Sequence, residues 1–162
     1  MNIYKYAMKM EIDGENFYRG LAEKAESEGI RNILTMLADE ELKHFETLKR
    51  MSNNELDVEM ASTDSLEDVR NIFAEMQENS IDTGTDAEQI DLYREAQKHE
   101  EKSYQFYLEK SEQADSESEK AIFLKLANEE KKHMILMGNI ADFVAQPDLW
   151  VADAEFNHMD DY

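Results

Sequence analysis

The chain contains an internal repeat with a constant offset of 89 residues, and the repeat preserves side chains that can bind metal ions. Glu41-Leu42-Lys43-His44 recurs as Glu130-Lys131-Lys132-His133, and Glu11 recurs as Glu100. Residues three apart on an α-helix share one face, so each Glu-x-x-His pair can direct both side chains toward one centre. The repeat therefore predicts two copies of one helical hairpin, each with a lone Glu and a Glu-x-x-His pair.

Apolar residues at three- and four-residue spacing predict four long helices. We expect them at about Ile3–Ala25, Arg31–Met51, Ala87–Glu112 and Lys120–Val144. Ser27-Glu28-Gly29 is predicted to separate the first two, because Gly is common just past a helix end. Two antiparallel hairpins joined by one long crossover form an all-α, ferritin-like four-helix bundle.

The crossover, at about residues 52–86, is too long for a simple turn. Ser65 followed by Asp68 resembles a helix start, a hydroxyl cap with an acid three residues later. We therefore predict a short extra helix within the crossover, with an apolar face made of Leu66, Val69, Ile72, Phe73 and Met76.

The chain of 162 residues is long enough for one domain with a hydrophobic core. We expect the bundle to occupy residues 1–145 and an irregular C-terminal tail to occupy 146–162. Pro147 ends the helical pattern, and Trp150, Phe156 and Tyr162 follow it. These aromatic residues either pack on the bundle or a second subunit, or belong to a loosely attached terminus.

Composition narrows the possible partners and the possible kinds of metal site. A formal charge of −21, from 38 acidic and 17 basic residues, argues against nucleic acid and membrane surfaces as partners. The absence of Cys excludes disulfides and thiolate metal sites within these residues. No signal-peptide pattern and no long apolar run is visible. We therefore expect a cytoplasmic protein.

The repeated acids and histidines predict a site for two metal ions. Four carboxylates and two imidazoles, projecting inward from four helices, suit a pair of ions, and the carboxylates balance the charge of two divalent cations. Oxygen-rich ligation without sulfur favours iron or manganese, and zinc is also possible. We predict two iron ions per chain at a centre that would itself be catalytic, with these ligands: Glu11, Glu41, His44, Glu100, Glu130 and His133.

A single Glu-x-x-His in an acidic helical protein is usually a solvated pair, and a duplicated bundle that has lost its metal is the alternative to a working site. All six repeated positions are kept, however, which favours metal binding. Glu41 and Glu130 are expected to bridge the two ions. The repeat also separates Glu100 from its neighbour, because Glu101 lies opposite Ile12.

Other residues near the predicted ligands have two interpretations each. Tyr18 and Tyr107 lie seven residues after a lone Glu, so they either donate a hydrogen bond to a metal-bound carboxylate or serve as core aromatics. Glu40 and Glu129 are also duplicated, but they lack the three-residue spacing to His. They either hydrogen-bond to the metal ligands without binding metal themselves or are ordinary surface acids, and we favour the surface. His99 has no counterpart in the repeat and is interpreted as structural or solvated.

The motifs Glu11-x6-Tyr18 and Ala38-x2-Glu41-x2-His44, with their copies, resemble the rubrerythrin family of ferritin-like di-iron proteins. The resemblance covers about residues 1–145 and implies a four-helix bundle, a di-iron centre, a homodimer and reduction of hydrogen peroxide at the diferrous site. Two departures stand out. Full-length rubrerythrins carry a rubredoxin-like four-Cys domain, and these residues contain no Cys; they also carry a further Glu ligand where this chain has Ser103. The repeat places Gly14 opposite Ser103.

Three functions are compatible with this pattern. The first is a non-haem di-iron peroxidase that reduces hydrogen peroxide with electrons from an external donor. The second is a ferroxidase or iron-handling protein that oxidises Fe(II) with dioxygen. The third is a non-enzymatic interaction module whose metal ions only stabilise the bundle.

Overall fold

The computed structural model describes residues 2–53, 69, 71–72, 74–75 and 87–145 of the chain. Within these residues four long helices are present: α1 (Ile3–Lys24), α2 (Glu28–Ser52), α3 (Ala87–Gln113) and α4 (Glu117–Ala145). The predicted all-α bundle is confirmed, and every long helix begins and ends within three residues of its predicted bounds.

Short polar side chains begin three of the helices. The Asn2 side chain accepts a hydrogen bond from the Tyr4 backbone N–H at 2.7 Å, and the Ser27 hydroxyl accepts one from Ile30 at 3.4 Å. At α4 the Ser116 hydroxyl accepts the N–H of Glu119 at 3.1 Å. Such caps satisfy backbone donors that have no partner inside the helix. The predicted break at Ser27-Glu28-Gly29 is correct only at Ser27, which caps α2, because Glu28 and Gly29 already lie in the first turn of that helix.

The helices pair as predicted from the short connections within each half. α1 packs along α2, and α3 packs along α4, while the two hairpins meet through α1 with α3 and α2 with α4. The described residues form two apolar clusters in the interior. The first lies where α1 ends and α2 begins, and includes Tyr18, Leu34, Tyr93 and Ile140. The second is formed at the other end of the bundle by Ala7, Leu48, Met51, Tyr107, Phe123, Leu126 and Ala127.

The described part of the crossover agrees with the short predicted helix. Val69 is helical and fully buried in the first apolar cluster, and Ile72 is helical and packs against that cluster. Leu66, Phe73 and Met76 lie outside the described residues, as does the tail at 146–162. Among the described helices, none combines the length and the apolar character that crossing a membrane requires.

Candidate metal centre

A buried polar centre lies midway along the bundle, between the two apolar clusters. Every helix contributes to it, since α1 and α3 each supply one Glu and α2 and α4 each supply a Glu-x-x-His pair. The structure brings together all six residues that the repeat singles out, and none is more than 3 % exposed: Glu11, Glu41, His44, Glu100, Glu130 and His133. Their assignment as ligands stays a prediction.

The six side chains form two overlapping groups. In the first, Glu11 and His44 meet Glu41 and Glu130, and in the second Glu100 and His133 meet the same two glutamates. One ligand atom from each member of a group lies within 4.8 Å of the others. Ligand atoms about 2.0–2.2 Å from one ion fall within that spread. Glu41 and Glu130 belong to both groups, so their carboxylates are placed to bridge two ions.

The contacts between the hairpins follow the two-fold symmetry of the repeat. His44 Nδ1 lies 3.0 Å from Glu130 Oε1, and His133 Nδ1 lies 2.7 Å from Glu41 Oε1. The two imidazole rings stack with centroids 5.7 Å apart. Each histidine therefore turns its Nδ1 atom toward the carboxylates of the opposite hairpin, and Nδ1 is the nitrogen available to a metal ion.

Tyr18 and Tyr107 each reach across the bundle to the lone Glu of the other hairpin. The Tyr18 hydroxyl donates to Glu100 Oε1 at 2.6 Å, and the Tyr107 hydroxyl donates to Glu11 Oε1 at 2.5 Å. Burial and the negative charge of nearby glutamates raise the pKa of both phenols well above its usual value. The two tyrosines therefore stay protonated and fix one oxygen of each lone carboxylate.

Glu40 belongs to the buried centre, although the sequence interpretation favoured the surface for it. It is 5 % exposed, and its Oε2 atom lies 2.6 Å from His133 Nε2. The interpretation of Glu40 and Glu129 as surface acids is wrong, because Glu129 is also buried, at 1 % exposure, and pairs with Lys132 at 3.3 Å. A carboxylate on the outer nitrogen of a ligating histidine fixes the ring and its tautomer. The duplication of Glu40 as Glu129 was the available signal.

Three buried carboxylate oxygens have no hydrogen-bond partner among the described residues: Glu11 Oε2, Glu100 Oε2 and Glu130 Oε2. An unsatisfied buried polar atom costs about 1–3 kcal/mol, and more if it is charged. Such atoms in a native protein call for an explanation, and a bound ion is one. The donor set fits iron or manganese, because it combines oxygen and imidazole nitrogen without sulfur.

The electrostatics of the centre place protons on the shared carboxylates. Burial and the negative charges of Glu100 and Glu11 raise the pKa of both Glu41 and Glu130 well above its usual range. Burial alone would also raise the pKa of Glu11 and of Glu100, but hydrogen bonds and the nearby histidines outweigh it and lower each to about 2. The two outer carboxylates are thus charged, and the two shared ones would have to release protons before they could bind a cation.

His133 and Glu40 stabilise each other's charged forms. Burial would lower the pKa of His133, but its interactions with the carboxylates of Glu100 and Glu40 outweigh burial and raise the pKa well above 6.5. Burial would raise the pKa of Glu40, but its hydrogen bond to His133 lowers it instead. Glu40 is therefore a carboxylate that can hold the Nε2–H of His133 whether Nδ1 carries a proton or a metal ion.

Gly14 allows α1 to approach the shared carboxylate closely. A Cβ atom at this position would lie 3.1 Å from Glu41 Oε2, closer than an ordinary contact. Its counterpart Ser103 is buried, and its hydroxyl donates to the His99 carbonyl at 3.2 Å. Neither position supplies a carboxylate, so the pair departs from the further Glu that the family resemblance implies.

Comparisons with known proteins agree with this architecture. A solved structure described as a hypothetical protein from Pyrococcus furiosus is similar to the chain, with a TM-score of 0.67, 24% sequence identity and coverage of 91% of both chains. That similarity supports the fold alone. No curated protein matches the chain. The sequence model of the rubrerythrin family matches residues 2–139. The chain therefore belongs to the rubrerythrin family.

Proposed function

We propose that this protein is a di-iron carboxylate peroxidase that reduces hydrogen peroxide with electrons from an external donor. The observation that carries the proposal is the pair of overlapping Glu/His groups, which share Glu41 and Glu130. Shared carboxylates hold two ions close together, and two adjacent ions can act on one small molecule. The external donor and the homodimer that the family resemblance implies are parts of the same proposal.

In this proposal the residues divide into outer and bridging ligands. Glu11 and His44 would hold one ion, Glu100 and His133 would hold the other, and the shared glutamates would contact both. Two ferrous ions, when bound, supply the two electrons that convert one hydrogen peroxide and two protons into two water molecules. Four carboxylates balance the charge of two divalent cations, which lowers the free-energy cost of burying the loaded site.

The surrounding residues would hold this arrangement in place. Tyr18 and Tyr107 occupy one oxygen of each lone carboxylate, and this leaves Oε2 of Glu100 and of Glu11 for an ion. Glu40 holds His133 with Nδ1 directed inward. The apolar clusters exclude water from the two ends of the centre along the bundle axis, which strengthens each of these electrostatic contacts.

The test compares two oxidants on protein loaded with Fe(II) in the absence of air. Stopped-flow absorbance of the ferric product would follow its reaction with stoichiometric hydrogen peroxide and, separately, with dissolved dioxygen. We expect peroxide to react much faster. Two electrons are enough to cleave the O–O bond of peroxide, whereas they reduce dioxygen only to peroxide. Glu130→Ala should abolish the reaction, and Glu101→Gln, an exposed acid on α3, is the matched control.

A ferroxidase is the second candidate, because the same overlapping Glu/His groups would hold two ions for it. In a ferroxidase each Fe(II) is its own reductant, so the reaction requires no separate relay for electrons. Faster oxidation by dioxygen would support this candidate over the peroxidase. No oxidation by either reagent, in protein shown to hold two irons, would leave a module whose metal ions only stabilise the bundle.

A further inference from the structure

A cleft between α1 and α3 connects the protein surface with the metal centre. It has a volume of about 180 Å³, and Asp13, Glu95 and His99 line its exposed end. Tyr18 and Glu100, both buried, line its inner end. One water molecule occupies about 30 Å³ of liquid, so the cleft has room for a small ion with several of its waters.

The repeat shows that the exposed end of this cleft is not duplicated in the other half of the chain. The positions 89 residues away from Asp13, Glu95 and His99 are Lys102, Tyr6 and Met10. The Tyr6 ring packs on Phe106 with centroids 5.1 Å apart. Two carboxylates and an imidazole on one side thus correspond to an ammonium, a phenol and a thioether on the other. Only the first set combines negative charge with oxygen and nitrogen donors, the chemistry that suits a divalent cation.

We propose that this cleft is the path by which divalent cations such as Fe(II) reach the metal centre, and that Glu95 and His99 bind the ion in transit. The two residues lie four apart on α3, so they share one face of the helix. Glu100 follows at the inner end, 2 % exposed, and its Oε2 has no hydrogen-bond partner among the described residues. Asp13 adds negative charge at the rim, although it pairs with Lys9 at 2.9 Å.

This proposal depends on the proposed metal centre. The test of the path therefore measures the rate of metal uptake separately from the final metal occupancy. Protein stripped of metal by a chelator would be mixed with less than one equivalent of Co(II), and the ligand-field absorbance of bound Co(II) would be followed by stopped flow. We expect Glu95→Gln/His99→Gln to slow uptake by about tenfold or more, a change within the range of electrostatic steering. The final occupancy should equal that of the wild-type protein.

Two further variants make the test specific. Glu101→Gln removes one formal charge from the same helix but faces a different cleft, with Lys98 and Lys102, and should leave the rate unchanged. Glu95→Tyr/His99→Met copies the opposite half of the chain and should slow uptake as strongly as the glutamine pair.

Equal slowing by Glu101→Gln would overturn the path, because the effect would then come from overall charge. An unchanged rate in both double variants would overturn it as well. A lower final occupancy in those variants would contradict a role confined to transit. Failure of the wild-type protein to bind Co(II) would instead overturn the metal centre itself, and the path with it.

Discussion

Helix α1 contains two glycines, Gly14 and Gly20. Replacing each by alanine separates the effect of helix propensity on stability from an effect on metal affinity. Glycine inside a helix is less stable than alanine by about 0.5–1 kcal/mol. A Cβ atom at Gly20 would meet nothing within 4 Å. We therefore expect Gly20→Ala to raise the free energy of unfolding by about that amount and to leave metal affinity unchanged.

Gly14→Ala should behave differently because of its distance from a shared carboxylate. The added Cβ would lie 3.1 Å from Glu41 Oε2, so the carboxylate would have to retreat by a few tenths of an ångström. Metal sites hold their ligand distances to within about 0.2 Å. A displacement of this size should weaken binding roughly tenfold, which corresponds to about 1.4 kcal/mol. Since Glu41 belongs to both groups, both ions should be affected.

Two assays on Gly14→Ala and Gly20→Ala would measure stability and metal affinity separately. Urea unfolding of the chelated proteins gives the change in stability, and competition with a chromophoric chelator gives the change in Co(II) affinity. The reasoning would be refuted if Gly14→Ala gained as much stability as Gly20→Ala and bound metal as tightly as the wild-type protein. In that case Glu41 would not be held close to α1.

Three further predictions concern the buried hydrogen bonds and the protons of the centre. Tyr107→Phe removes the hydrogen bond to Glu11 and should lower the free energy of unfolding by about 1.5–3 kcal/mol, as measured by urea denaturation. Glu40→Gln keeps the side-chain volume but loses the charge at His133, and competition titration should show metal affinity reduced by roughly 10- to 100-fold. The raised pKa values of Glu41 and Glu130 mean that the folded state binds more protons than the unfolded state above pH 4.5. The chelated protein should therefore lose stability as the pH rises from about 5 to 8, and equal melting temperatures across this range would contradict the result.

The repeat made the fold and the positions of the six central residues predictable from the sequence. Helix periodicity and cap residues act locally, so the ends of α1 to α4 could be predicted to within a turn. The family membership follows from the same motifs. The predicted break before α2 extended past Ser27 because glycine was taken as a helix end, whereas the Ser27 cap decided where the next helix begins.

Contacts between helices could not be read from spacing along one helix. Glu40 lies next to Glu41 in sequence, yet its partner is His133 on α4, so only the packed bundle reveals its role. The spacing predicted that each tyrosine could donate a hydrogen bond to a carboxylate of the centre but did not show which one, and each bonds the lone Glu of the other hairpin. The cleft depends on the side-by-side packing of α1 and α3, which the sequence does not specify.

The most direct test of the central claim is the number of metal ions that each chain binds. Protein loaded with Fe(II) without air and freed of excess metal should contain two irons per chain by elemental analysis. Glu130→Gln, which keeps the side-chain shape, should weaken the binding of both ions, because Glu130 belongs to both groups. A value near one iron per chain, or a variant that binds two ions with unchanged affinity, would contradict a centre built on shared carboxylates.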